Sequence, residues 1–294
     1  MTARSAPRTT SPRARFVAVG GTEASGRAGS LWRVSEPTTP AHDVERESPA
    51  GPAEARYLTL PELSPYLSAE RYEHPKELFR HVVRRLHELT EPGRAYRYAD
   101  IACANGEFLY YLQSEFPHWQ LHGFDYEPAF LDVARAQPSL EAVRFELVDL
   151  FEIDETHPYD IVSLLGVMST FQDPEPVLAK LLALCASSGL IFIDGYFNEY
   201  DVEVRSVYSD NSTPEGRGKW RVDWTQHTQA KIGEYLEPLC QSVEFEEVVM
   251  GVELPRDPAK PHIDAWTFRD ADGKIIITNG TRFMLNDVML TVRR

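Results

Sequence analysis

The stretch Tyr98-Ala99-Asp100-Ile101-Ala102-Cys103-Ala104-Asn105-Gly106-Glu107-Phe108 decides the fold of this chain. Its first residues, with Tyr98 and Ile101, have the aromatic and branched side chains of a buried strand. The middle of the stretch carries side chains so small that a ligand could approach the backbone closely. A helical pattern begins at Glu107, after which apolar residues recur on one face. The stretch therefore predicts a strand, a tight turn and a helix N-terminus, which together place backbone N–H groups beside a ligand.

The spacing and charge of this turn indicate which ligand it suits. A dinucleotide fingerprint, G-x-G-x-x-G, would place its third glycine at position 107, where this chain has Glu107. An acid there is favourable for the helix dipole, but it is unfavourable beside a pyrophosphate. Asp100 adds a second negative charge at the end of the strand. Two acids favour a ligand with an ammonium and a sulfonium centre, and S-adenosylmethionine is such a ligand.

Four motifs in this order resemble the class I S-adenosylmethionine-dependent methyltransferases. They lie within roughly residues 95–250, about half of the chain. There is one departure, because the family usually has glycine where Ala102 and Ala104 stand. An alanine at positive φ costs about 1 kcal/mol or more, so the departure predicts either negative φ at both positions or a reduced affinity for the cofactor. The motifs are Asp100–Gly106, Gly123-Phe124-Asp125, Val148-Asp149-Leu150 and Tyr159–Gly166.

One spacing and the resemblance together assign the cofactor contacts. Asp125 follows Gly106 by 19 residues, close to the spacing at which a carboxylate binds a ribose diol. The resemblance implies that Asp149 and Leu150 read the adenine and that the end of the fourth strand borders the reacting methyl. The alternative for Asp125 is a solvated position at a strand end. The predicted cofactor contacts are Asp100, Ala102, Ala104, Asn105, Gly106, Asp125, Tyr126, Asp149, Leu150, Leu165 and Gly166.

Composition and charge limit the partners. Residues 1–56 hold 8 Arg and 6 acidic residues, so of the net charge of −15 the remainder of the chain carries −17. Such a body repels nucleic-acid phosphates and anionic membrane surfaces, so neither is an expected partner. Three widely separated cysteines, Cys103, Cys185 and Cys240, predict reduced thiols in a cytoplasmic protein and no metal site. No apolar run approaches the ~18 residues of a membrane span.

The order of predicted elements gives the fold class. Residues 1–55 are rich in Ser, Thr, Pro, Gly and Arg, which favours a disordered extension over an organelle transit peptide. His74-Pro75 predicts a helix start. From residue 95 strands and helices alternate, which is typical of an α/β fold with a doubly wound, mostly parallel sheet. After the first strand, the predicted strands are 120–125, 143–149, 160–166, 190–196 and 243–250, and the predicted helices are 128–137, 173–186 and 224–240.

Two segments are interpreted as additions to this sheet. Residues 197–222 show no regular pattern but contain aromatic residues, and such a stretch in a compact domain is usually functional or disordered. We therefore interpret residues 197–228 as a substrate lid within a methyltransferase domain at 56–294. Residues 251–294 carry strand patterns separated by turn residues, including Asn279-Gly280, which predict an antiparallel β meander. We expect this C-terminal β extension to widen the sheet or to cover the pocket.

Candidates for the chemistry come from the ends of strands four and five and from the lid. His227 is the candidate general base, because imidazole titrates near neutral pH and because it follows Trp220 and Trp224 at helical spacing. The alternative is a packing or surface histidine. Tyr196 leaves the fifth strand beside the expected methyl position, and it is the second catalytic candidate. The candidate substrate contacts are Met168, Asn198, Tyr200, Trp220 and Trp224, for which core packing is the alternative.

The sequence supports one main hypothesis and two rivals. The main hypothesis is an enzyme that transfers a methyl group from S-adenosylmethionine to an oxygen or nitrogen atom of a small molecule, in secondary metabolism. The first rival is a nucleotide-dependent oxidoreductase on the same kind of sheet. The second rival is a non-catalytic partner protein that keeps the fold, for which Ala102 and Ala104 are the argument. The acceptor molecule and the oligomeric state are not fixed by the sequence.

Overall fold

The computed structural model describes residues 72–209, 211, 217–218, 220–249, 251–256, 265–278 and 287–294. All of them belong to one compact unit, residues 50–294. The predicted extension at 1–55, the chain before Tyr72 and the predicted Asn279-Gly280 turn lie outside the described residues. The helices are α1 (Glu77–Leu89), α2 (Glu107–Glu115), α3 (Pro128–Ala136), α4 (Glu175–Leu184) and α5 (Gln229–Leu236). The strands are β1 (Arg97–Ile101), β2 (Gln120–Asp125), β3 (Arg144–Leu147), β4 (Tyr159–Leu164), β5 (Cys185–Gly195), β6 (Phe197–Asn198), β7 (Val204–Tyr208), β8 (Arg221–Thr228), β9 (Ser242–Glu247), β10 (Trp266–Arg269), β11 (Ile275–Thr278) and β12 (Val288–Arg293).

A seven-stranded sheet in the order β3-β2-β1-β4-β5-β12-β9 forms the centre of the molecule. The first five strands in this order run parallel, which confirms the predicted doubly wound α/β fold. β12 is antiparallel to both of its neighbours. The strand register sets Asp100 opposite Gly123 on β2 and Ser163 on β4. The carboxyl ends of β1, β2, β4 and β5 therefore meet along one edge, where ligands bind in sheets of this kind.

Two hydrophobic clusters cover the two faces of this sheet. Because side chains alternate along a strand, Tyr98 lies in one cluster and Ala99 in the other. Val82 of α1 and Leu109 of α2 pack in the first cluster, and Leu178 of α4 packs in the second. The mostly apolar sequence of each parallel strand follows from this burial on both faces.

Several helix and strand boundaries in the structure differ from the predicted ones. Helix α1 begins at Glu77, two residues after Pro75, and Lys76 is its N-cap. The third strand is shorter than the predicted 143–149, and the predicted helix 173–186 ends at Leu184. Strand β5 then begins at once with Cys185. The apolar run at the end of this helix fits a helix and a strand equally well, so the pattern could not place the junction.

The predicted irregular stretch 197–222 contains regular structure. Strands β6, β7 and β8 form a separate three-stranded sheet in the order β6-β8-β7, which we call the annex. Its strands are short and its pattern is broken by a bulge between β7 and β8, so no clear alternation appears in the sequence.

The predicted helix over 224–240 was wrong in its first part. Residues up to Thr228 belong to β8, and helix α5 begins at Gln229. Threonine, valine and tryptophan in this segment favour a strand. A spacing of four residues between Trp220 and Trp224 fits a strand of period two as well as a helix.

The C-terminal segment contains the predicted hairpin, and its last strand widens the central sheet as predicted, but the meander is not continuous. β10 and β11 pair antiparallel with each other. β12 does not continue the meander, because it lies between β5 and β9 in the central sheet. Its residues Val288 to Val292 are all buried, which is the pattern of a strand covered on both faces rather than of an edge strand.

Candidate active site

The turn after β1 is a tight left-handed bend. Ala102, Ala104 and Gly106 have φ of 57°, 49° and 78°. The alternative of negative φ at the two alanines is therefore wrong, and each alanine carries strain of about 1 kcal/mol. Gly106 is also required for space, since a Cβ there would lie 3.0 Å from the ring of Phe145. The bend begins α2 and leaves only small side chains over it.

Asp125, at the end of β2, holds this bend in place. Its Oδ2 accepts the Ala104 N–H at 2.8 Å, and its Oδ1 accepts the Glu127 N–H at 2.9 Å. The side chain is buried, and burial raises the pKa of Asp125 to about 6 although both hydrogen bonds oppose the rise. The carboxylate predicted to bind a ribose therefore also forms part of the turn.

Asp100, at the end of β1, is the second buried acid. The Ser163 hydroxyl on β4 donates to its Oδ1 at 2.6 Å. Burial raises the pKa of Asp100 to about 7, and the Asp125 charge adds to the rise. A cation close to such a buried carboxyl group stabilises its ionised form.

Asp194, near the end of β5, is a third buried acid at the same edge. Its Oδ2 accepts the Gly166 N–H at 2.9 Å. Its Oδ1 is buried and accepts no hydrogen bond from a backbone N–H or a hydroxyl group of the described residues. The carboxyl of Asp287 lies against it, and two carboxyls can hydrogen-bond only if they share a proton. Burial and then Asp287 raise the pKa of Asp194 well above its usual range.

The three aspartates share one face of the sheet. Asp100 is in register with Gly123 and Ser163, and Ser163 is in register with Phe192. Because side chains alternate along a strand, Asp125 and Asp194, each two residues further on, point to the same side as Asp100.

The segment before α1 covers this face. The Tyr72 hydroxyl donates to the Asn105 carbonyl at 2.6 Å, and the Tyr72 ring is buried. The Lys76 Nζ lies 3.6 Å from Oε2 of Glu107, the first residue of α2. Asn105 is itself buried, and its side-chain oxygen accepts the Glu107 N–H at 3.3 Å. The turn is therefore covered by Tyr72 and Lys76.

The chemistry of this edge fits a cationic nucleoside better than a dinucleotide. Four buried carboxyl groups, those of Asp100, Glu107, Asp125 and Asp194, lie at or beside it. They would repel a pyrophosphate, and they would attract the ammonium and sulfonium charges of S-adenosylmethionine. The small residues of the bend leave room for close approach to the backbone.

The family whose description is "Methyltransferase domain" matches residues 99–191. This match runs from within β1 into β5 and includes Asp100, Glu107 and Asp125, whereas Asp194 lies just beyond it. Residues 99–191 therefore carry a methyltransferase domain. No curated protein matches the sequence significantly.

Solved methyltransferase structures are similar in fold at low sequence identity. The N-methyltransferase NodS from Bradyrhizobium japonicum WM9, in complex with S-adenosyl-L-homocysteine, is 13% identical, with 79% of this chain and 96% of that chain covered and a TM-score of 0.46. The 1,6-didemethyltoxoflavin-N1-methyltransferase of Burkholderia thailandensis is 16% identical, with 79% and 84% covered and a TM-score of 0.46. The putative methyltransferase in complex with the Trm112 activator of Haloferax volcanii is 15% identical, with 74% and 88% covered and a TM-score of 0.49.

The other predicted cofactor contacts of this methyltransferase lie around the edge, and they do not form a second cluster of buried residues. Asp149 accepts the Phe151 N–H at 2.9 Å and begins a short 3-10 turn. Tyr126 is exposed on the chain between β2 and α3, and Gly166 is exposed with φ of 77°. Leu150 and Leu165 are partly buried against the two clusters.

The predicted substrate contacts divide into buried, half-buried and exposed residues. Met168 is fully buried in the hydrophobic core, so its assignment as a substrate contact is wrong. The Asn198 amide donates to the Val202 carbonyl at 2.8 Å, which closes a local turn. Tyr200 and Trp220 are 69% and 72% exposed. The structure does not bring them together with the buried acids.

Tyr196 and Trp224 do meet. Their ring centroids are 5.3 Å apart, and the ring planes are inclined at 81°. The Tyr196 N–H donates to the Ser169 hydroxyl at 3.0 Å, and Tyr196 follows Asp194 by two residues. Of these two half-buried aromatic side chains, Tyr196 is the one that is close in sequence to the acidic edge.

His227 was wrongly placed on a lid helix. It lies on β8, it is 1% exposed, and its Nε2 is 3.0 Å from the Phe171 carbonyl. A carbonyl only accepts, so this nitrogen carries the hydrogen. Its Nδ1 is 3.3 Å from the Glu203 carboxylate, which also only accepts, so this contact is a hydrogen bond only when the ring is protonated. Burial lowers the pKa of His227, and Glu203 opposes that change. Both ring nitrogens therefore have partners within the protein, and the histidine is not placed to accept a proton from a substrate.

Three residues of the site were not predicted from the sequence. Asp194 closes the apolar run of β5 just as Asp100 and Asp125 close their own strands, and this was a readable signal. Lys76 stands at a helix N-cap, where lysine is unusual. Ser163 lies in mid-strand and gave no signal, because only the register shows that it meets Asp100.

The described residues contain neither a metal-binding cluster nor a membrane-spanning helix. In the part of the chain that the structure describes, no group of three His, Cys, Asp or Glu side chains is arranged to hold a metal ion. None of the helices described above is long and apolar enough to span a membrane.

Proposed function

We propose that this methyltransferase transfers a methyl group from S-adenosylmethionine to an oxygen or nitrogen atom of a small molecule, in secondary metabolism. The observation that carries the proposal is the row of buried carboxyls beside a bend almost free of side chains. Bound S-adenosylmethionine supplies an electrophilic methyl group on a positively charged sulfur. The same acids and the strongly negative net charge make a neutral or cationic acceptor the favoured class.

In this proposal the residues of the edge have separate tasks. Asp125 holds the bend and offers its remaining lone pairs to the ribose hydroxyls. Asp100, fixed by Ser163, faces the positive charge of the cofactor. Asp149, Leu150 and Tyr126 are proposed to contact the adenine side, as the family resemblance implies.

Asp194 is the proton acceptor that the structure supports in place of His227. Its Oδ2 is fixed by Gly166, and the group beside it is the Asp287 carboxyl, with which it can share a proton. It stands at the end of β5, beside the end of β4, where the proposal places the reacting methyl. A positive charge arriving at the edge lowers the pKa of a buried carboxyl, which would free Asp194 to accept the proton of the acceptor group.

Tyr196 and Trp224 are proposed to line the acceptor side. Their perpendicular rings offer an aromatic corner to a flat or cationic molecule. The annex is proposed to act as the lid of this pocket. Two buried free thiols, Cys103 and Cys185, support a reducing, cytoplasmic location.

Isothermal titration tests the proposal directly. We expect the chain to bind S-adenosylhomocysteine and not NADH, because Asp100 and Glu107 would repel the NADH pyrophosphate. Binding of NADH alone would establish the oxidoreductase instead. Transfer of a labelled methyl group from S-adenosylmethionine to a panel of small alcohols, phenols and amines then identifies the acceptor atom.

A second candidate is a non-catalytic protein that keeps the fold. The positive φ of Ala102 and Ala104 favours it, because strain in the turn reduces affinity for a ligand that needs the turn in this form. The same titration separates the two candidates, since the second one predicts that neither S-adenosylhomocysteine nor NADH binds.

A further inference from the structure

Two carboxyl groups from neighbouring antiparallel strands meet at the end of β5. Met289 on β12 is in register with Asp194 on β5, and Asp287 lies two residues before Met289. Residues directly opposite each other in a ladder share a face, and so do residues two apart, so Asp287 lies on the face that carries Asp194. The Val248 N–H donates to the Asp287 carbonyl at 2.9 Å, which fixes the backbone at this point. The side chains of Asp287 and Asp194 are in hydrogen-bond contact.

This contact requires a proton. A carboxylate only accepts hydrogen bonds, so a hydrogen bond between two carboxyl groups forms only when one of them is protonated. Burial, and then the neighbouring Asp287, raise the pKa of Asp194 well above its usual range, although the Gly166 N–H opposes the rise. Two carboxylates at this distance in a buried site repel each other strongly, which disfavours the doubly ionised pair. These contacts fit a pair that holds one shared proton in the ligand-free chain.

The described charged groups that α1 and β9 bring near this pair have partners of their own. The Asp287 charge raises the pKa of His81 on α1, so these two side chains lie near each other. Burial and then Arg84 outweigh that effect and lower the pKa of His81, so the ring is mostly uncharged at neutral pH. Arg84 donates to His81 Nδ1 at 3.0 Å, and the Arg85 Nε lies 2.8 Å from the Glu246 carboxylate on β9. Both arginines of α1 are therefore engaged with groups outside the pair.

The two carboxyls differ in their access to solvent and to charge. Asp194 is 6% exposed, whereas Asp287 is half-buried, so a proton leaves the pair more readily from Asp287. The Lys76 charge already opposes the rise in the pKa of Asp194. A further positive charge at the acidic edge acts in the same direction, because it stabilises the ionised form of Asp194. Such a charge therefore favours the state in which the shared proton lies on Asp287.

We propose that Asp194 and Asp287 act as one acid–base pair in methyl transfer, in which Asp287 is the positioning residue that takes the shared proton and leaves Asp194 free to accept another. This inference rests on the proposed function, because it requires S-adenosylmethionine as the methyl donor.

The proton balance of the step is as follows. The acceptor oxygen or nitrogen forms a bond to the methyl carbon, and the carbon–sulfur bond breaks with its electron pair left on sulfur. The proton lost by the acceptor passes to Asp194. The pair then holds two protons and is neutral, and the half-buried Asp287 releases one of them to solvent before the next reaction.

Infrared spectroscopy of the ligand-free chain tests whether the proton is shared. At about pH 8.5, above the pKa of about 7 of Asp100 and of about 6 of Asp125, we expect a C=O stretching band of a protonated carboxyl that shifts on isotopic labelling of aspartate. Asp194→Asn and Asp287→Asn are each expected to remove the band, because the new amide donates to the remaining carboxylate without a shared proton.

Asp100→Asn is the matched control for the infrared experiment. It removes another buried acid from the same face and is expected to keep the band at this pH. A band that survives in Asp287→Asn would show that burial alone protonates Asp194, and the pair would be overturned. A spectrum of the unaltered chain without the band would overturn it as well.

The pH profile of methyl transfer, with the acceptor found by the labelled-methyl panel, tests the positioning role. Asp287→Leu removes the group that takes the shared proton, so burial keeps Asp194 protonated to higher pH. We expect the acidic limb of the profile to move up by about one pH unit or more, with a rate at about pH 7 reduced about tenfold or more. Asp287→Asn donates to Asp194, keeps it ionised and is expected to move the limb less.

An equal loss of rate at every pH in both variants would show a merely structural role and would overturn the inference. The infrared result with Asp287→Asn does not depend on Asp287→Leu being stable. If the unaltered chain does not bind S-adenosylhomocysteine in titration calorimetry, the proposed function fails. If it binds, and the band is absent or survives in Asp287→Asn, only the role of Asp287 fails.

Discussion

The acidic edge of the central sheet and the annex differ in how their polar side chains are buried and hydrogen-bonded. At the edge, three carboxyls from β1, β2 and β5 are buried on one face, and Asp194 Oδ1 accepts no hydrogen bond from a backbone N–H or a hydroxyl group of the described residues. In the annex, His227 has partners at both ring nitrogens, and Trp220 stands 72% exposed. The edge retains buried charge that folding does not neutralise, whereas the buried His227 of the annex has a protein group beside each of its ring nitrogens.

This difference indicates which of the two regions binds a ligand. Burying a carboxyl is costly unless a partner compensates it, so a row of buried acids with raised pKa values implies a partner that folding does not supply. A buried histidine with two partners implies the opposite, because it already contributes to the folded structure. The following experiments test this contrast between the two regions.

Asp125→Ala is expected to have the largest effect. It removes the acceptor of the Ala104 and Glu127 N–H groups, and each lost hydrogen bond to a charged group costs about 1.5–3 kcal/mol. We expect a loss of that size both in the free energy of binding S-adenosylhomocysteine and in the free energy of unfolding. Titration calorimetry and urea denaturation measure the two.

Asp154→Ala is the control for this variant. Asp154 also accepts a backbone N–H, that of Thr156, but on an exposed loop. Its loss is expected to leave ligand affinity unchanged. Unchanged affinity in Asp125→Ala as well would remove Asp125 from the site.

His227→Gln tests the annex side of the contrast. The change disturbs the contacts with Phe171 and Glu203, so we expect a loss of about 1–3 kcal/mol in the free energy of unfolding. The affinity for S-adenosylhomocysteine is expected to stay within about twofold. A stable variant that binds the cofactor yet transfers no methyl group would restore His227 as the general base.

The pH dependence of stability tests the charge at the edge. The pKa of Asp100 is about 7 in the folded chain and 3.8 as its reference value, so between these values the folded state holds the proton that the unfolded state has lost. The contribution of Asp100 to the free energy of unfolding of the ligand-free chain is therefore fully present below about pH 4, and it is lost as the pH rises toward 7. Asp125, with a pKa of about 6, adds to the same trend up to that pH.

Asp100→Asn is expected to flatten this trend by about 1–2 kcal/mol between pH 5 and pH 8, measured as the melting temperature at each pH. The affinity for S-adenosylmethionine should rise over the same interval in the unaltered chain, because its positive charges favour ionised acids. An unchanged slope in Asp100→Asn would show that Asp100 is not the titrating group.

Ala102→Gly and Ala104→Gly are expected to have the smallest effect, and it is a gain. Each removes a Cβ at positive φ, so we expect up to about 1 kcal/mol more stability per site by thermal denaturation. Ala129→Gly in α3 is the opposite control and should cost about 1 kcal/mol. Destabilisation at both turn sites would mean that the methyl groups contribute more packing than strain.

Much of the acidic edge could be predicted because the information is local. A strand that ends in an acid before small residues and a helix predicts the turn after β1, and the spacing from Gly106 predicts Asp125. The annex could not be predicted in this way. Its strands are short, and the spacing of Trp220 and Trp224 fits a helix and a strand equally, so the sequence offered no means of choosing between them.

The sequence by itself determined the alternation of strands and helices, the tight turn and the acids that favour a cationic nucleoside over a pyrophosphate. These depend on side-chain size, charge and period, which are properties of neighbouring residues. Only the tertiary structure decided that Asp194 joins Asp100 and Asp125, that Lys76 lies over the turn and that β12 enters the sheet beside β5. These depend on strand register and packing between distant segments. A local pattern shows an acid at the end of β5, but it does not show which distant residues that acid meets.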